Sequence, residues 1–192
     1  MSTDAALRPQ PTPAPADTAP SDPAAPRRRP RGSARAPARP TPAAALHSIG
    51  AATAVLLALV AIGAMIHEPV LIPPLAASAA LVHSAPTLPL AQPRSVVLGH
   101  LVGSVAGYAV LAAAGSSAWA AAAAAGVTLA LNMAARTPHS PAVATAVIIV
   151  LQTPAPGRFI PLLLGSAVLL VLTGYAASRV RRKAPRYPAY WW

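Results

Sequence analysis

Six polar side chains stand out in an otherwise apolar stretch: Ser78, Arg94, His100, Arg136, His139 and Thr145. Ser78 and Thr145 hold matching places in two short segments, Pro74-Leu-Ala-Ala-Ser78 and Pro141-Ala-Val-Ala-Thr145. A hydroxyl there can donate to a solute, bond back to its own helix, or simply permit tight helix packing. Arg94 and Arg136 offer planar guanidinium forks that can grip two oxygens of a small oxyanion, or fix orientation by binding a lipid phosphate. His100 lies about five residues inside its apolar stretch, where an imidazole is costly unless paired. It can relay protons, donate to a bound anion, or rest neutral against a neighbouring backbone, and His139 carries the same readings. His47 and His83 read as structural.

Other chemistries lack their residues. Glu68 is the one acid after residue 22, so two-carboxylate hydrolysis is excluded from the apolar region. Glu68 reads as a partner for Arg94 or Arg136, or as a proton acceptor in coupled transport. His67, Glu68, His100 and His139 are metal-ligand types, but His67 and Glu68 are adjacent rather than one helical turn apart, so no metal site is expected. The chain has no cysteine, no nucleophile–acid–base set and no phosphate-cradling glycine loop. The expectation is a protein that is not an enzyme and carries no cofactor.

The elements that must position these residues are read from composition. Over 192 residues the chain is 55% hydrophobic and 10% charged, with a mean hydropathy of +0.52. A soluble domain carries about 25% charged residues, because its surface faces water. An all-α integral membrane protein is therefore expected, with the lipid bilayer as its surroundings. The net charge of +11 could suggest nucleic acid. However, the basic residues gather in two flanks, Arg27 to Arg39 and Arg179 to Arg186, which is the pattern of membrane orientation, and no nucleic-acid partner is expected.

Residues 1–45 hold eleven of the 24 prolines and almost no large apolar side chains, so they read as a disordered, basic cytoplasmic arm. Residues 46–178 form the transmembrane domain, and 179–192 a basic and aromatic tail whose tyrosines and tryptophans read as an interfacial anchor. Within the domain, four long helices are expected at Leu46–Ile66, Ser95–Gly115, Ala118–Ala135 and Phe159–Ala177. Two short Pro-led segments, Val70–Val82 (interrupted by Pro73-Pro74) and Pro141–Leu151, fall below the ~20 residues of a spanning helix. Gly99, Gly103 and Gly107 form a small-residue stripe against which another helix can pack. An offset of 67 residues superposes the two short segments, and Gly107-Tyr108 on Gly174-Tyr175, which makes two pseudo-repeats a candidate arrangement. Basic flanks at both ends place both termini in the cytoplasm and require an even number of crossings, four or six.

Three blocks resemble the HPP family of small integral membrane proteins. They are Ala76-Ala77-Ser78-Ala79; Pro89-Leu90-Ala91-Gln92-Pro93-Arg94 followed by Gly99-His100; and Arg136-Thr137-Pro138-His139-Ser140-Pro141-Ala142 with Ala144-Thr145-Ala146. The third occupies the place of the family's His-Pro-Pro motif and reads His-Ser-Pro here; Ala76 and Ser95 replace the family's glycine and asparagine. The family is usually described as having four transmembrane helices, and its members in plastids and cyanobacteria are associated with nitrite transport. The resemblance thus implies a transporter-like protein of the cytoplasmic membrane with a small inorganic anion, nitrite-like, as candidate substrate. Short helices whose partly positive N-termini face an anion near the midplane would form its site, with Ser78, Arg94, His100, Arg136, His139 and Thr145 as its residues. The alternative is a non-transporting membrane scaffold that serves a partner through the Pro/Arg-rich arm. A domain this small also leaves a homo-oligomer open.

Overall fold

The computed structural model describes residues 38–180 and 185–191. The arm expected over 1–45 therefore lies, up to residue 37, outside the described residues. Within them the chain is all-helical: α1 Pro42–Ile66, α2 Pro73–Ser84, a 3-10 turn Pro89–Ala91, α3 Pro93–Ala114, α4 Ala118–Ala134, α5 Ser140–Gln152 and α6 Pro156–Val180. Proline starts most of these elements. It stands in the first turn of α1, α2, α3 and α5, where the missing N–H would have had no helical partner. The oxygens of Thr41 and Ser117 cap α1 and α4 by accepting from Ala44 N and Ala120 N, as N-cap hydroxyls do. Left-handed residues end two helices, His67 after α1 and Thr153 after α5.

Among the described residues three helices are long and apolar enough to cross a membrane: α1, α3 and α6. The expected fourth, α4, is apolar but has 17 residues, about 26 Å against a hydrocarbon core of about 30 Å. Both short segments are helical, at 12 and 13 residues. Pro73-Pro74 does not interrupt the first of them. The pair begins it, and Val70–Ile72 stays outside the helix.

Chain direction reverses at every connection. The start of α1 meets the end of α6, where His47 Nε2 donates to Ala177 O at 3.0 Å. The other ends of the same helices meet where Arg158 pairs with Glu68 at 2.8 Å. Arg94 at the start of α3 donates to Ala135 O after α4, and Tyr108 late in α3 donates to Pro154 O after α5. Arg94, Arg136 and the described ends of the chain thus share one face of the bundle, and Glu68 and Arg158 the other. Large apolar side chains remain uncovered along α1 (Leu46, Ile49, Leu57, Met65), α4 (Leu129, Met133) and α6 (Val168, Leu172), a surface suited to lipid rather than water.

The tightest seam joins α3 to α5. A Cβ added at Gly99 would lie 2.6 Å from His139 Cβ, one at Gly103 would strike the Ala142 carbonyl, and one at Gly107 would lie 3.0 Å from Ala146 Cα. The small-residue stripe therefore receives α5, main chain against main chain. A related contact occurs in the other half, where Gly174 of α6 meets Val82 of α2 as Gly107 meets Ile149. More broadly, every pair of extensively packed helices has a counterpart when α1, α2 and α3 are exchanged for α4, α5 and α6. The pairs α2–α5 and α3–α6 exchange into themselves and occupy the middle.

Candidate functional site

The middle of the bundle is polar. Ser78, halfway along α2, and Thr145, halfway along α5, are fully buried. His100 stands between them on α3, itself fully buried, with one ring nitrogen toward each: Nε2 lies 2.9 Å from Ser78 Oγ and Nδ1 2.9 Å from Thr145 Oγ1. His139, the residue that opens α5, turns its ring inward. Its Nε2 lies 2.9 Å from the same Ser78 Oγ and 3.3 Å from His100 Nε2. The rings meet edge to face, 4.8 Å between centroids. Four side chains from three helices and one helix start thus form one buried hydrogen-bonded cluster.

Backbone carbonyls orient it. His139 Nδ1 lies 2.8 Å from Leu90 O; a carbonyl only accepts, so Nδ1 carries the hydrogen and Nε2 presents a lone pair inward. Ser78 Oγ also lies 2.9 Å from Pro74 O, and Thr145 Oγ1 lies 3.4 Å from Pro141 O, a second acceptor for each hydroxyl. Neither Leu90 nor Pro74 has a side chain that would flag it in the sequence. What places the two carbonyls is the Pro-led start of α2 and the 3-10 turn before α3.

The arginines stand apart from the cluster. Arg94 Nη2 donates to Ala135 O at 2.9 Å while its Nε is buried without a partner among the described residues. Arg136, next in the chain to Ala135, is exposed with a left-handed φ of 54°. The two cations therefore sit together at the face where α5 begins, Arg94 six residues, or about 9 Å of helix, before His100. Glu68 departs from its expected partners, since Arg94 and Arg136 are at the opposite face and it pairs with Arg158. A cavity of about 280 Å³ adjoins that pair, and its walls include Ile72, just before α2, and Leu75, which stands one helical turn from Ser78. His67 is exposed at that end, so the four metal-ligand types do not converge, and no group of three such residues occurs among the described residues.

The sequence marks Gln92 only as part of a family block and Tyr187 only as part of the aromatic tail, yet both are structural partners near the cluster. Gln92 is buried, donates to Pro86 O and Leu88 O, and accepts from Ala189 N at 2.8 Å. Tyr187 corrects the view of the tail as an interfacial anchor. It is 1% exposed, packs beside Gly174 and donates to Ala91 O at 2.8 Å. Its place in an aromatic tail hid this, while Tyr190 and Trp191 remain exposed.

A family model described as "HPP, transmembrane region" matches residues 37–188, which include every residue of the cluster. The chain belongs to the HPP family. Among curated proteins, this HPP chain is similar to two transmembrane proteins of Dictyostelium discoideum. One is 36% identical over 132 residues, covering 64% of this chain and 46% of the relative; the other is 36% identical over 126 residues, covering 61% and 40%. The HPP chain thus spans less than half the length of either relative. No solved structure matches it. Family membership together with the apolar helices makes it a multi-pass membrane protein.

Proposed function

We propose that this HPP protein is a transporter of small monovalent anions, nitrite-like in size and charge, and not an enzyme. The observation that carries the reading is the buried cluster Ser78–His100–His139–Thr145 at the junction of two short helices. Polar side chains inside a membrane bundle are expensive and are kept at substrate and proton pathways. Short helices paired across two halves of a transporter are where such sites are built. The paired arginines at one face supply attraction for an anion, and the cavity beside Glu68 and Arg158 supplies an opening at the other.

The packing pattern supports two inverted three-helix repeats, α1–α2–α3 and α4–α5–α6, with Ser78 and Thr145 as equivalent positions. In this reading α2, α4 and α5 also cross, α2 and α5 shielded from lipid by their neighbours and α4 facing it along one side, and the flanking basic residues put both termini in the cytoplasm. The full-length chain in liposomes provides the test. Accumulation of nitrite, nitrate or formate is expected above that of empty liposomes, and lower in His100→Phe. Equal uptake of all three with and without protein would refute the reading.

A further inference from the structure

One hydroxyl stands between the two rings of the cluster: Ser78 Oγ lies 2.9 Å from His100 Nε2 and 2.9 Å from His139 Nε2. In the cluster's neutral form every hydrogen has one acceptor along a single line. Thr145 donates to His100 Nδ1, His100 Nε2–H donates to Ser78 Oγ, Ser78 donates to His139 Nε2, and His139 Nδ1–H donates to Leu90 O, over distances of 2.9, 2.9, 2.9 and 2.8 Å. The line can run in one direction only, because the Leu90 carbonyl cannot donate. The two imidazoles are then held as opposite tautomers, the hydrogen on Nδ1 in His139 and on Nε2 in His100.

One further proton fits without moving a heavy atom. Placed on His139 Nε2, it is donated to Ser78 Oγ, and the Ser78 hydroxyl turns its own hydrogen to Pro74 O, 2.9 Å away. The serine oxygen then accepts from both rings, using both lone pairs. A second proton has no such place. It would have to sit on His100 Nδ1, forcing Thr145 onto the 3.4 Å contact with Pro141 O, and would set two imidazolium ions 4.8 Å apart. Among the described residues no other ionisable group bonds to either ring. α2 presents Ser78, α5 presents Thr145, and the loop before α3 presents a carbonyl, while Arg94 is turned to Ala135 O and Arg136 is exposed.

We propose that His100 and His139 form a binding site for a single proton, that rotation of the Ser78 hydroxyl lets the pair load and unload it, and that this proton accompanies the transported anion. The coupling rests on the transport reading above; the proton site does not. A cationic pair, formed only when the proton is bound, makes the site attractive to one negative charge at a time and close to neutral once both have left.

Two experiments separate the parts. Nitrogen NMR of histidine-labelled full-length protein in lipid nanodiscs should show the two rings as opposite tautomers at high pH. On acidification one added proton should enter the pair. In Ser78→Ala, whose melting temperature serves as the folding control, that proton should be held at least tenfold more weakly. In Ser78→Thr, which keeps the hydroxyl, binding should stay within about threefold of wild type. Identical tautomers, or an unchanged titration in Ser78→Ala, overturn the proton site. In liposomes containing a pH indicator, a nitrite gradient should drive one proton inward per anion, corrected for empty liposomes. Anion flux without proton movement overturns the coupling and leaves the transport reading standing. Absence of any anion flux removes the transport reading and the coupling together, while the proton site stands or falls on the NMR titration.

Discussion

The Nε2 atoms of His100 and His139 stand 3.3 Å apart at the centre of a helical bundle, on residues 39 positions apart in the chain. Each ring is held from behind, His100 by Thr145 and His139 by the Leu90 carbonyl. Rings fixed in this way present their nitrogens at a set distance and angle, as tethered imidazoles do in functional sites generally.

Thr145→Val keeps the shape of the side chain and removes the hydroxyl. His100 Nδ1 is then buried without a partner, which costs about 1–3 kcal/mol. The melting temperature in detergent should fall accordingly, and Thr145→Ser should recover most of the loss. Equal melting temperatures for Val, Ser and wild type would contradict the hydrogen bond.

Gly103 lies where α3 and α5 touch main chain to main chain. Gly103→Val should destabilise the fold by about 1–3 kcal/mol through overpacking, and should disturb both histidine resonances although it touches neither ring. Gly126, mid-way along α4, has nothing within 4 Å of an added Cβ, so Gly126→Ala should leave the resonances alone and raise the melting temperature slightly, as alanine favours the helix by about 0.5–1 kcal/mol.

Much of this candidate site is legible in the sequence alone. Ser78, Thr145, His100 and His139 announce themselves because a hydroxyl or imidazole in an apolar stretch needs a reason, and the repeated spacing of Ser78 and Thr145 ties two segments together. The rest was not legible, for physical reasons. Leu90 and Pro74 contribute carbonyls, which every residue has, so only the backbone path reveals them. Arginine side chains reach far, and whether Arg94 turns into the bundle or to the Ala135 carbonyl is decided by a helix end 41 residues away in sequence. Glu68 finds Arg158 across 90 residues, a pairing set by the antiparallel meeting of α1 and α6. Helix starts lie further out than composition suggests at Pro42, Pro93 and Pro156 and further in at Pro73, because proline suits a first turn, where its missing N–H has no helical partner.

Arg94 and Arg136 share a face but differ in ties. Arg136→Ala removes an exposed cation, and the initial rate of anion uptake at low salt should fall by up to about tenfold, with the difference shrinking as ionic strength rises. Arg94→Ala also removes the bond to Ala135 O, so it should lower both rate and melting temperature. A salt-independent defect in Arg136→Ala would show that long-range attraction is not its role.

Tyr187 predicts an alkaline limit to stability. Burial pushes its phenol above the ordinary value of 10, so the folded chain keeps a proton that the unfolded chain releases near pH 10. The folded state then binds more protons than the unfolded state above that pH, and stability falls as pH rises past it. Tyr187→Phe should lose about 0.5–1.5 kcal/mol at neutral pH, with the hydrogen bond to Ala91 O, and should show a flatter decline between pH 10 and 11. Melting curves across that range decide it.

The glycine seam has a mechanical consequence. At Gly99, Gly103 and Gly107 no side chain of α3 stands between it and α5, so at those three points the backbones act as stops that fix how near the two helices, and the imidazoles they carry, can come. The cluster can change state by relocating protons, which needs no travel, or by sliding one whole helix along another, which would break several of its bonds in one stroke.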